Sequence, residues 1–248
     1  MNTVFADRNS TTAATSQIAA GIRQQVACRL LLLAASPSRP RGRSKAAHRP
    51  SELVDQTALP DLLPQLAALL GCDQFAAAER LLQAAIRGLS DTVPPRPPQL
   101  REWLLLALFG LLQEDAASAD AYLRQAELQQ LRNGALAKGA GSLVFVLQLS
   151  RCLASLAAQR SGAAEELLDA CESAEETAGD PHCMWLILQL RTVSALLASQ
   201  YRTAWQTWQA AMAIQQTQRA LRLTPSVGVP GRLWLQTMAS REVAAANN

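Results

Sequence analysis

One packing pattern recurs four times along this chain and limits what the chain can fold into. The pattern is a small residue, a large residue four positions later and a small residue three positions after that, which places all three on one face of a helix. The four stripes are Ala78, Leu82 and Ala85; Ala119, Leu123 and Ala126; Ala164, Leu168 and Cys171; and Ala204, Trp208 and Ala211. Their first residues, the anchors, are separated by 41, 45 and 40 positions. A period of this length predicts tandem two-helix units.

An apolar segment precedes each stripe and predicts the first helix of a pair. These segments cover 62–70, 100–112, 142–158 and 183–199. Short polar connections join each segment to its stripe, and short connections favour antiparallel neighbours. We therefore expect an all-α fold, an α-solenoid of about four antiparallel helical hairpins. A fifth helix is expected near the C terminus, after the proline- and glycine-containing stretch at 224–231.

The composition also favours helices. Hydrophobic residues make up 49% of the chain but aromatic residues only 4%, so Leu and Ala supply most of the apolar content. No uninterrupted apolar run reaches the roughly 18 residues of a membrane span, and we expect no membrane contact. The five cysteines contain no C-x-x-C pair, which favours reduced thiols and an intracellular protein.

The first 56 residues differ from the rest. Residues 8–51 contain eight Lys or Arg and no Asp or Glu, and apolar residues recur every four positions from Ile18 to Leu30. This combination is typical of an organelle transit peptide. It is also typical of a disordered basic arm, and a secretory signal is a third interpretation. We predict a disordered or targeting arm over 1–56 and a helical repeat domain over 57–248.

The charge of the repeat domain argues against a nucleic-acid binder. Residues 57–248 hold 15 of the 23 basic residues and 17 of the 20 acidic residues, which makes this part net −2. A nucleic-acid-binding domain usually presents a basic face to the phosphates. We expect no direct contact with nucleic acid.

The sequence lacks the motifs of the common catalytic and metal sites. It contains no P-loop, no nucleophile elbow and no H-E-x-x-H. Adjacent acids such as Glu165 and Glu166 point apart on a helix. His182 and Cys183, even with Cys171, do not supply the four ligands of a closed zinc site. We predict no catalytic residue, no cofactor and no metal, and an active site at a hairpin junction that uses His182 is the alternative.

Two arginines occupy the same register position in consecutive units. Arg151 and Arg191 each lie 13 residues before the anchor of their unit, and Gln148 and Gln189 lie close to them in the chain. Stacked first helices would bring such positions into a basic ladder, and Arg binds carboxylates bidentately. We hypothesise that these four residues bind an extended acidic segment of a protein partner. The alternative is that each arginine lies along its helix or pairs with a nearby Glu.

Trp205 lies beside the fourth stripe, on the line of Tyr201. Large exposed aromatic residues are uncommon, so we interpret Trp205 as a core residue that covers the fifth helix through Trp234. A partner-binding aromatic residue is the alternative.

The Ala–bulky–Ala stripe of the second helices resembles the signature of the tetratricopeptide-repeat (TPR) superfamily, with a period longer than the usual 34 or so. Residues 62–215 also resemble the N-terminal part of the TPR subunit of the cohesin loader. The residues that carry this likeness, besides the packing positions, are Pro97, Pro98, Gln99, His182 and Cys183. That family is much longer, which leaves open that this chain is part of a longer solenoid.

The resemblance implies a non-catalytic adaptor that holds an extended segment of a larger subunit and acts in sister chromatid cohesion in the nucleus. We therefore predict a helical-repeat scaffold that binds an extended partner segment. The alternative is an organelle-targeted TPR adaptor of the plastid or mitochondrion with an unknown protein partner. A structural cap or fragment with no independent function is a further interpretation.

Overall fold

The computed structural model describes residues 2–35, 74–90, 98–133, 141–174, 180–217 and 229–246, together with residues 62, 65, 66, 68 and 69. All regular secondary structure in this part of the chain is α-helix, which confirms the all-α class. The predictions that concern 36–61, which contains His48 and most of the basic residues of the arm, lie outside the described residues. So do those that concern Cys72 and Pro97.

The helices follow the predicted segments closely. They are α1 (Asn2–Ala35), α2 (Phe75–Ser90), α3 (Leu100–Leu112), α4 (Ala116–Asn133), α5 (Gly141–Ala157), α6 (Ser161–Ser173), α7 (Pro181–Leu197), α8 (Tyr201–Thr217) and α9 (Val229–Ala246). The apolar segments predicted as first helices at 100–112, 142–158 and 183–199 correspond to α3, α5 and α7, with boundaries that differ by at most two residues. The four stripes lie on α2, α4, α6 and α8, and α9 is the expected helix near the C terminus.

The chain divides into two compact units. The first unit consists of residues 1–29 and 148–248, and the second unit consists of residues 30–147. The first unit has a core that includes Trp185, Ile22 and Leu149, which are almost completely buried. The core of the second unit includes Phe109 and Leu82, which are also almost completely buried. Each unit therefore has a hydrophobic core of its own.

Three of the connections between helices share one backbone geometry. Each is three residues long, and its middle residue has a left-handed backbone: φ is 60° at Glu114, 59° at Gln159 and 58° at Ser199. The N–H of the third residue donates to the carbonyl oxygen five positions earlier, which is the Schellman motif that ends many helices. These N···O distances are 2.9 Å for Asp115 to Gly110, 2.8 Å for Arg160 to Ser155 and 2.8 Å for Gln200 to Ala195. Gln74 makes the same bond to Leu69 at 2.9 Å.

The third residue of each connection also begins the next helix. Its carbonyl oxygen accepts the N–H of the anchor alanine, which closes the first turn. The N···O distances are 3.0 Å for Ala78 to Gln74, 3.0 Å for Ala119 to Asp115, 3.2 Å for Ala164 to Arg160 and 2.9 Å for Ala204 to Gln200. The four anchors therefore occupy one constant position, the fourth residue of their helix.

The stripes are the buried faces of their helices. Eleven of the twelve stripe residues are buried, and Ala85 is half-buried. In α6 the buried residues are Ala164, Leu168 and Cys171, and no others. Helices of this kind are stabilised mainly by burial of one apolar face rather than by intrinsic propensity.

Within the first unit, α5 and α6 pack antiparallel. Cys152 Sγ lies 3.7 Å from the carbonyl oxygen of Ala164, and Cys171 Sγ lies 3.4 Å from Gln148 Oε1. The earlier position on α5 thus meets the later position on α6. The contacts between α5 and α6 follow the antiparallel order expected of helices joined by a short connection.

In the second unit, the connection from α3 to α4 brings two backbones unusually close. A Cβ atom placed on Gly110 would lie 3.1 Å from the nitrogen and 3.2 Å from the Cα of Ala119. Ser155 and Ala195 occupy the same position relative to their anchors, nine residues earlier. Three of the four anchors are therefore preceded, nine residues earlier, by a small residue. This position is a further sequence feature of the repeat, in addition to the stripe.

The N-terminal arm, which is predicted to be disordered or to serve in targeting, is helical over its described residues. Residues 2–35 form α1, and Ile22, Val26 and Leu30 on that helix are fully buried. The apolar recurrence seen in the sequence is thus the buried face of a helix, and burial of that face stabilises the helix. Thr11–Ala35 is also long and apolar enough to cross a membrane, a property that buried core helices and signal sequences share.

Candidate partner-binding face

The four residues predicted to bind a partner occupy different environments. Gln148 on α5 is half-buried, and its Oε1 accepts a hydrogen bond from the thiol of Cys171 at 3.4 Å. Arg151, on the same helix, is exposed. On α7, Gln189 is completely buried and Arg191 is half-buried. Arg151 is therefore the one member of this set whose side chain lies largely at the surface.

Arg191 binds acidic residues of the preceding helix. Its Nη2 lies 2.7 Å from Asp169 Oδ1 and 2.6 Å from Glu172 Oε2, and its Nη1 lies 4.0 Å from Glu165 Oε2. The three acids follow one another at steps of four and three on α6, so they share a helix face. The guanidinium of Arg191 thus joins α7 to α6, which is the pairing with acidic neighbours that the sequence left open.

The first turn of α7 is fixed by its cap. The Asp180 carboxylate accepts the N–H of His182 at 2.9 Å, and Pro181 occupies the first helical position, where a missing N–H leaves no bond unmade. Trp185 and Gln189 follow at three and seven positions from His182, on the same side of the helix. We call His182, Trp185 and Gln189 the α7 face. Trp185 is 1% exposed and Gln189 is 0% exposed.

His182, at the start of α7, is influenced by the charge of Arg29 on α1. Burial lowers the pKa of His182 below its ordinary value, the charge of Arg29 lowers this pKa further, and the carboxylate of Asp180 raises it. Arg29 is itself only 8% exposed, and burial lowers its pKa. An imidazole that favours the neutral form therefore lies near a buried guanidinium of α1.

Two nitrogen atoms on the α7 face are buried without a hydrogen bond. Within the described part of the chain, His182 Nε2 and Trp185 Nε1 have no hydrogen-bond partner. A buried polar group left in this state destabilises a fold by about 1–3 kcal/mol. The indole N–H can only donate, so it would be satisfied by an oxygen or another acceptor placed against this face.

The two buried thiols of the first unit, Cys152 and Cys171, have raised pKa values. Burial raises the pKa of Cys171 to about 11, and burial raises the pKa of Cys152 further. The thiolate is the reactive and metal-binding form, so these residues act as small packing side chains. Among the described residues, no group of three or more His, Cys, Asp and Glu side chains is placed to hold a metal ion.

The aromatic side chains of α8 contact one another and α9. Trp205 stacks on Trp208 with ring centroids 5.3 Å apart, whereas Tyr201 meets Trp234 of α9 edge-on at 5.7 Å. The guanidinium carbon of Arg232 lies 5.9 Å from the ring centroid of Trp208. The aromatic contact to Trp234 is thus made by Tyr201, and Trp205 is half-buried against its own helix.

From the sequence, Gln189 is a predicted binding residue, His182 is a candidate only for a metal site or for an active site at a hairpin junction, and Trp185 has no predicted role. A signal was present, since the spacing of these residues in "DPHCMWLILQ" places them on one side of the helix that begins at Pro181. The sequence alone does not show that this side of the helix is buried.

Comparison with known proteins identifies no family for this chain. No protein-family model matches it, and neither a curated protein nor a solved structure shows significant similarity to it. The likeness to the TPR superfamily and to the cohesin-loader subunit therefore rests on the sequence features described above.

Proposed function

We propose that this protein is a non-catalytic helical-repeat scaffold of TPR-like hairpins that binds a segment of another protein. The observation that carries the proposal is the fourfold recurrence of one turn, in which a Schellman bond ends one helix and the same residue caps the next. Repeats of this kind bury their apolar faces against neighbouring helices and use the exposed surface for recognition. Such scaffolds act by binding rather than by chemistry.

The contacts in the first unit support a repeat arrangement. α5 and α6 pack antiparallel through Cys152 and Ala164, and Arg191 then joins α6 to the next first helix, α7. Thr192 of α7 in turn contacts Thr207 of α8, with 3.0 Å between their hydroxyl oxygens. Consecutive helices thus contact their neighbours in chain order, as stacked hairpins do.

Arg151 is the best candidate for contact with an acidic partner segment. It is exposed, and a guanidinium at such a position can bind a carboxylate bidentately. Arg191 is half-buried, and its guanidinium joins α7 to α6 through Asp169 and Glu172. Substitution of both arginines would therefore mix loss of a binding contact with loss of an interhelical ion pair.

A site-specific cross-linking experiment tests the scaffold proposal on the full chain. A photoreactive amino acid is placed at Arg151 on α5 and, as a matched control, at Glu166, which is exposed on α6. We expect one defined segment of one protein to cross-link at 151 and not at 166. The same proteins at both positions, or no cross-link at 151, would contradict the proposal.

The segment identified in this way is then synthesised and its affinity is measured. We expect Arg151→Glu to weaken binding about tenfold or more, because it replaces an attractive charge with a repulsive one. Arg160→Glu, at another exposed arginine, is the control and should leave the affinity nearly unchanged. Arg191→Gln should lower the free energy of unfolding by about 1 kcal/mol or less, since its ion pairs are partly exposed.

The specific version of the proposal is an adaptor of the cohesin loader that acts in sister chromatid cohesion in the nucleus. It is supported by the sequence resemblance over 62–215. The cross-linking experiment bears on it directly, because that version requires the cross-linked segment to belong to a large subunit of the loader.

An organelle-targeted adaptor is the second candidate. It is favoured by the composition of α1, a helix in which residues 8–35 contain arginines and no acid. Transit peptides form helices of this type. A fluorescent reporter fused to residues 1–56 separates the two versions: import into a plastid or mitochondrion supports the targeting role and excludes the nuclear adaptor, and a diffuse signal contradicts targeting.

A further inference from the structure

The outer side of α4 carries two exposed leucines. Leu128 is 47% exposed and Leu131 is 76% exposed. Among the large apolar side chains that are exposed in the described part of the chain, these are the only two that lie within one helical turn of each other. Scattered apolar side chains are ordinary at a protein surface, whereas neighbouring ones are typical of a surface that binds another molecule.

The repeat does not require leucine at these two positions. Leu128 and Leu131 lie nine and twelve residues after the anchor Ala119, on a side of the helix that faces away from the stripe. The other three stripes are followed at the same two positions by polar or small residues, namely Arg87 and Ser90, Ser173 and Glu176, and Ala213 and Gln216. Packing within the repeat therefore does not explain the two leucines of α4.

The exposed side of α4 has the spacing of a coiled-coil seam. Ala121, Arg124, Leu128 and Leu131 follow one another at steps of three, four and three, which are the steps between the a and d positions of a heptad repeat. All four residues are exposed. The second a and d positions are both leucine, so the apolar part of this seam is short.

Charged residues flank the two leucines in the order that a parallel pair of helices requires. Glu127 takes the g position before Leu128, and Arg132 takes the e position after Leu131. In a parallel pair, the g residue of one helix lies beside the e residue five positions later in the other helix, so Glu127 of each copy meets Arg132 of the other copy. In an antiparallel pair g residues meet g residues, and the two copies of Glu127 would repel each other. The charges therefore favour a parallel arrangement of two copies.

Arg124 limits the strength of such an association. It occupies the first d position, and its Nη2 lies 2.7 Å from Asp120 Oδ2 of the same helix. This ion pair offsets part of the charge of Arg124, which reduces the repulsion between the two copies of Arg124. The apolar seam covers only about two helical turns, so we expect a weak dimer rather than a permanent one.

We propose that a second copy of this chain packs on the outer side of α4, with Leu128 and Leu131 in a parallel seam and with Glu127 and Arg132 paired between the copies. Each copy contributes the same residues, as in other two-fold symmetric interfaces. This inference goes beyond the proposed scaffold function. A dimer presents two partner-binding surfaces, which increases the affinity for a partner that offers two segments.

Sedimentation equilibrium of the full chain over a range of concentrations tests the proposal. We expect the wild-type chain to form dimers as its concentration rises. Leu131→Asp places a charge in the seam and should weaken dimerisation about tenfold or more. Leu233→Asp is the matched control, because Leu233 of α9 is also exposed, at 57%, and this substitution should leave dimerisation unchanged.

A mixture of two charge variants tests the parallel arrangement. Arg132→Glu gives a chain that is acidic at both the g and the e position, and Glu127→Lys gives a chain that is basic at both. Each variant alone should dimerise less tightly than the wild type, because like charges then meet. The equimolar mixture should dimerise about fivefold or more tightly than either variant alone, since opposite charges meet again at two places.

Three results would overturn the proposal. The first is a wild-type chain that stays monomeric up to about 1 mM, which would assign the leucines to another protein or to another segment of this chain. The second is equal dimerisation of the Leu131→Asp and Leu233→Asp chains, and the third is a mixture of charge variants that dimerises no more tightly than its components. Circular dichroism accompanies each measurement, and loss of helicity in Leu131→Asp would also overturn the proposal, because Leu131 would then belong to the folding core.

These results are separable from those that test the scaffold function. A dimer without any partner cross-linked at position 151 would remove the scaffold function and leave the dimer in place. A defined cross-link at position 151 on a monomeric chain would have the opposite meaning.

Discussion

Glu114, Gln159 and Ser199 all adopt a left-handed backbone, which is unfavourable for residues that carry a Cβ atom. Glycine is the usual residue at this position of a Schellman motif, because it has no Cβ to crowd the following carbonyl oxygen. In this chain the turn forms without glycine in all three cases. The hydrogen bonds of the turn and the packing of the flanking helices must therefore offset the backbone strain.

Substitution by glycine tests this strain at Ser199. We expect Ser199→Gly to raise the free energy of unfolding by about 1 kcal/mol, because the left-handed penalty exceeds the added flexibility of the unfolded chain. Ala198→Gly, one residue earlier and with φ of −80°, is the control and should lower it by about 0.5–1 kcal/mol. Chemical denaturation measures both, and destabilisation by Ser199→Gly would contradict the expectation.

His182 makes the stability of the first unit depend on pH. Its folded-state pKa is lowered, mainly by burial and then by Arg29, so the unfolded imidazole takes up a proton at a higher pH than the folded one. As the pH falls through about 6.5, the unfolded chain therefore binds more protons and the free energy of unfolding decreases. The charged groups that act on the imidazole are Arg29 from α1 and Asp180 from the start of α7.

The comparison of wild type with His182→Gln isolates this effect, because His48 is present in both chains. The melting temperature of the wild type, relative to that of the variant, should fall as the pH is lowered from 7.5 to 5.5. A difference between the two chains that does not change with pH would contradict the assignment.

At the scale of the helices, the close approach of α3 to α4 decides which residues are tolerated at their connection. Gly110 faces the backbone of Ala119, and an added Cβ would meet backbone atoms rather than a flexible side chain. Gly88, in the last turns of α2, has no atom within 4 Å of the position its Cβ would take. The two glycines therefore differ in packing while both are helical.

Alanine at these two glycines should have opposite effects. Gly88→Ala should raise the free energy of unfolding by about 0.5–1 kcal/mol, since alanine is the better helix former. Gly110→Ala should lower it by about 1 kcal/mol, because crowding of 1–3 kcal/mol exceeds the same gain in propensity. Thermal or chemical denaturation of the two variants measures the difference, and a stabilising Gly110→Ala would show that the helices can separate without cost.

The sequence predicts which face is buried better for the second helices than for the first helices. The stripe that begins at Ala164 can be recognised in the sequence because α6 buries only one face. The buried positions therefore recur with the helical period. On α7 nearly every residue from Trp185 to Leu196 is buried. When a helix is apolar on most sides, its sequence does not show which side contacts which neighbour. For this reason the sequence pattern predicts Gln189 in an open groove, whereas in the structure its side chain is completely buried.

The arm shows a second limit of sequence reasoning. The apolar recurrence through Ile22 and Val26 was visible, but a transit peptide and a docked helix have the same pattern and composition. What distinguishes them is a complementary surface elsewhere in the chain. The sequence of the arm itself contains no information about such a surface.

At the scale of the whole chain, the two compact units divide the stabilising contacts. Leu168 lies in the first unit and Leu82 in the second, and both are completely buried. Truncation of either to alanine removes buried methyl groups and leaves a cavity, which destabilises by about 2–5 kcal/mol. Each truncation should loosen mainly the unit in which it lies.

Hydrogen exchange should show where each truncation acts. Leu168→Ala should reduce the protection of amides in α6 and α7 more than that of amides in α3, and Leu82→Ala should reduce protection in α2 and α3 more than in α7. Equal loss of protection in all helices for both variants would show that the chain unfolds as one cooperative block.

In the connections at 113–115, 158–160 and 198–200, the third residue both completes the Schellman bond of one helix and caps the next helix. An inserted residue would rotate the following helix by about 100° and turn its alanine away from the neighbouring backbone. Natural variants of this protein that differ in length should therefore carry no insertion or deletion at these three connections.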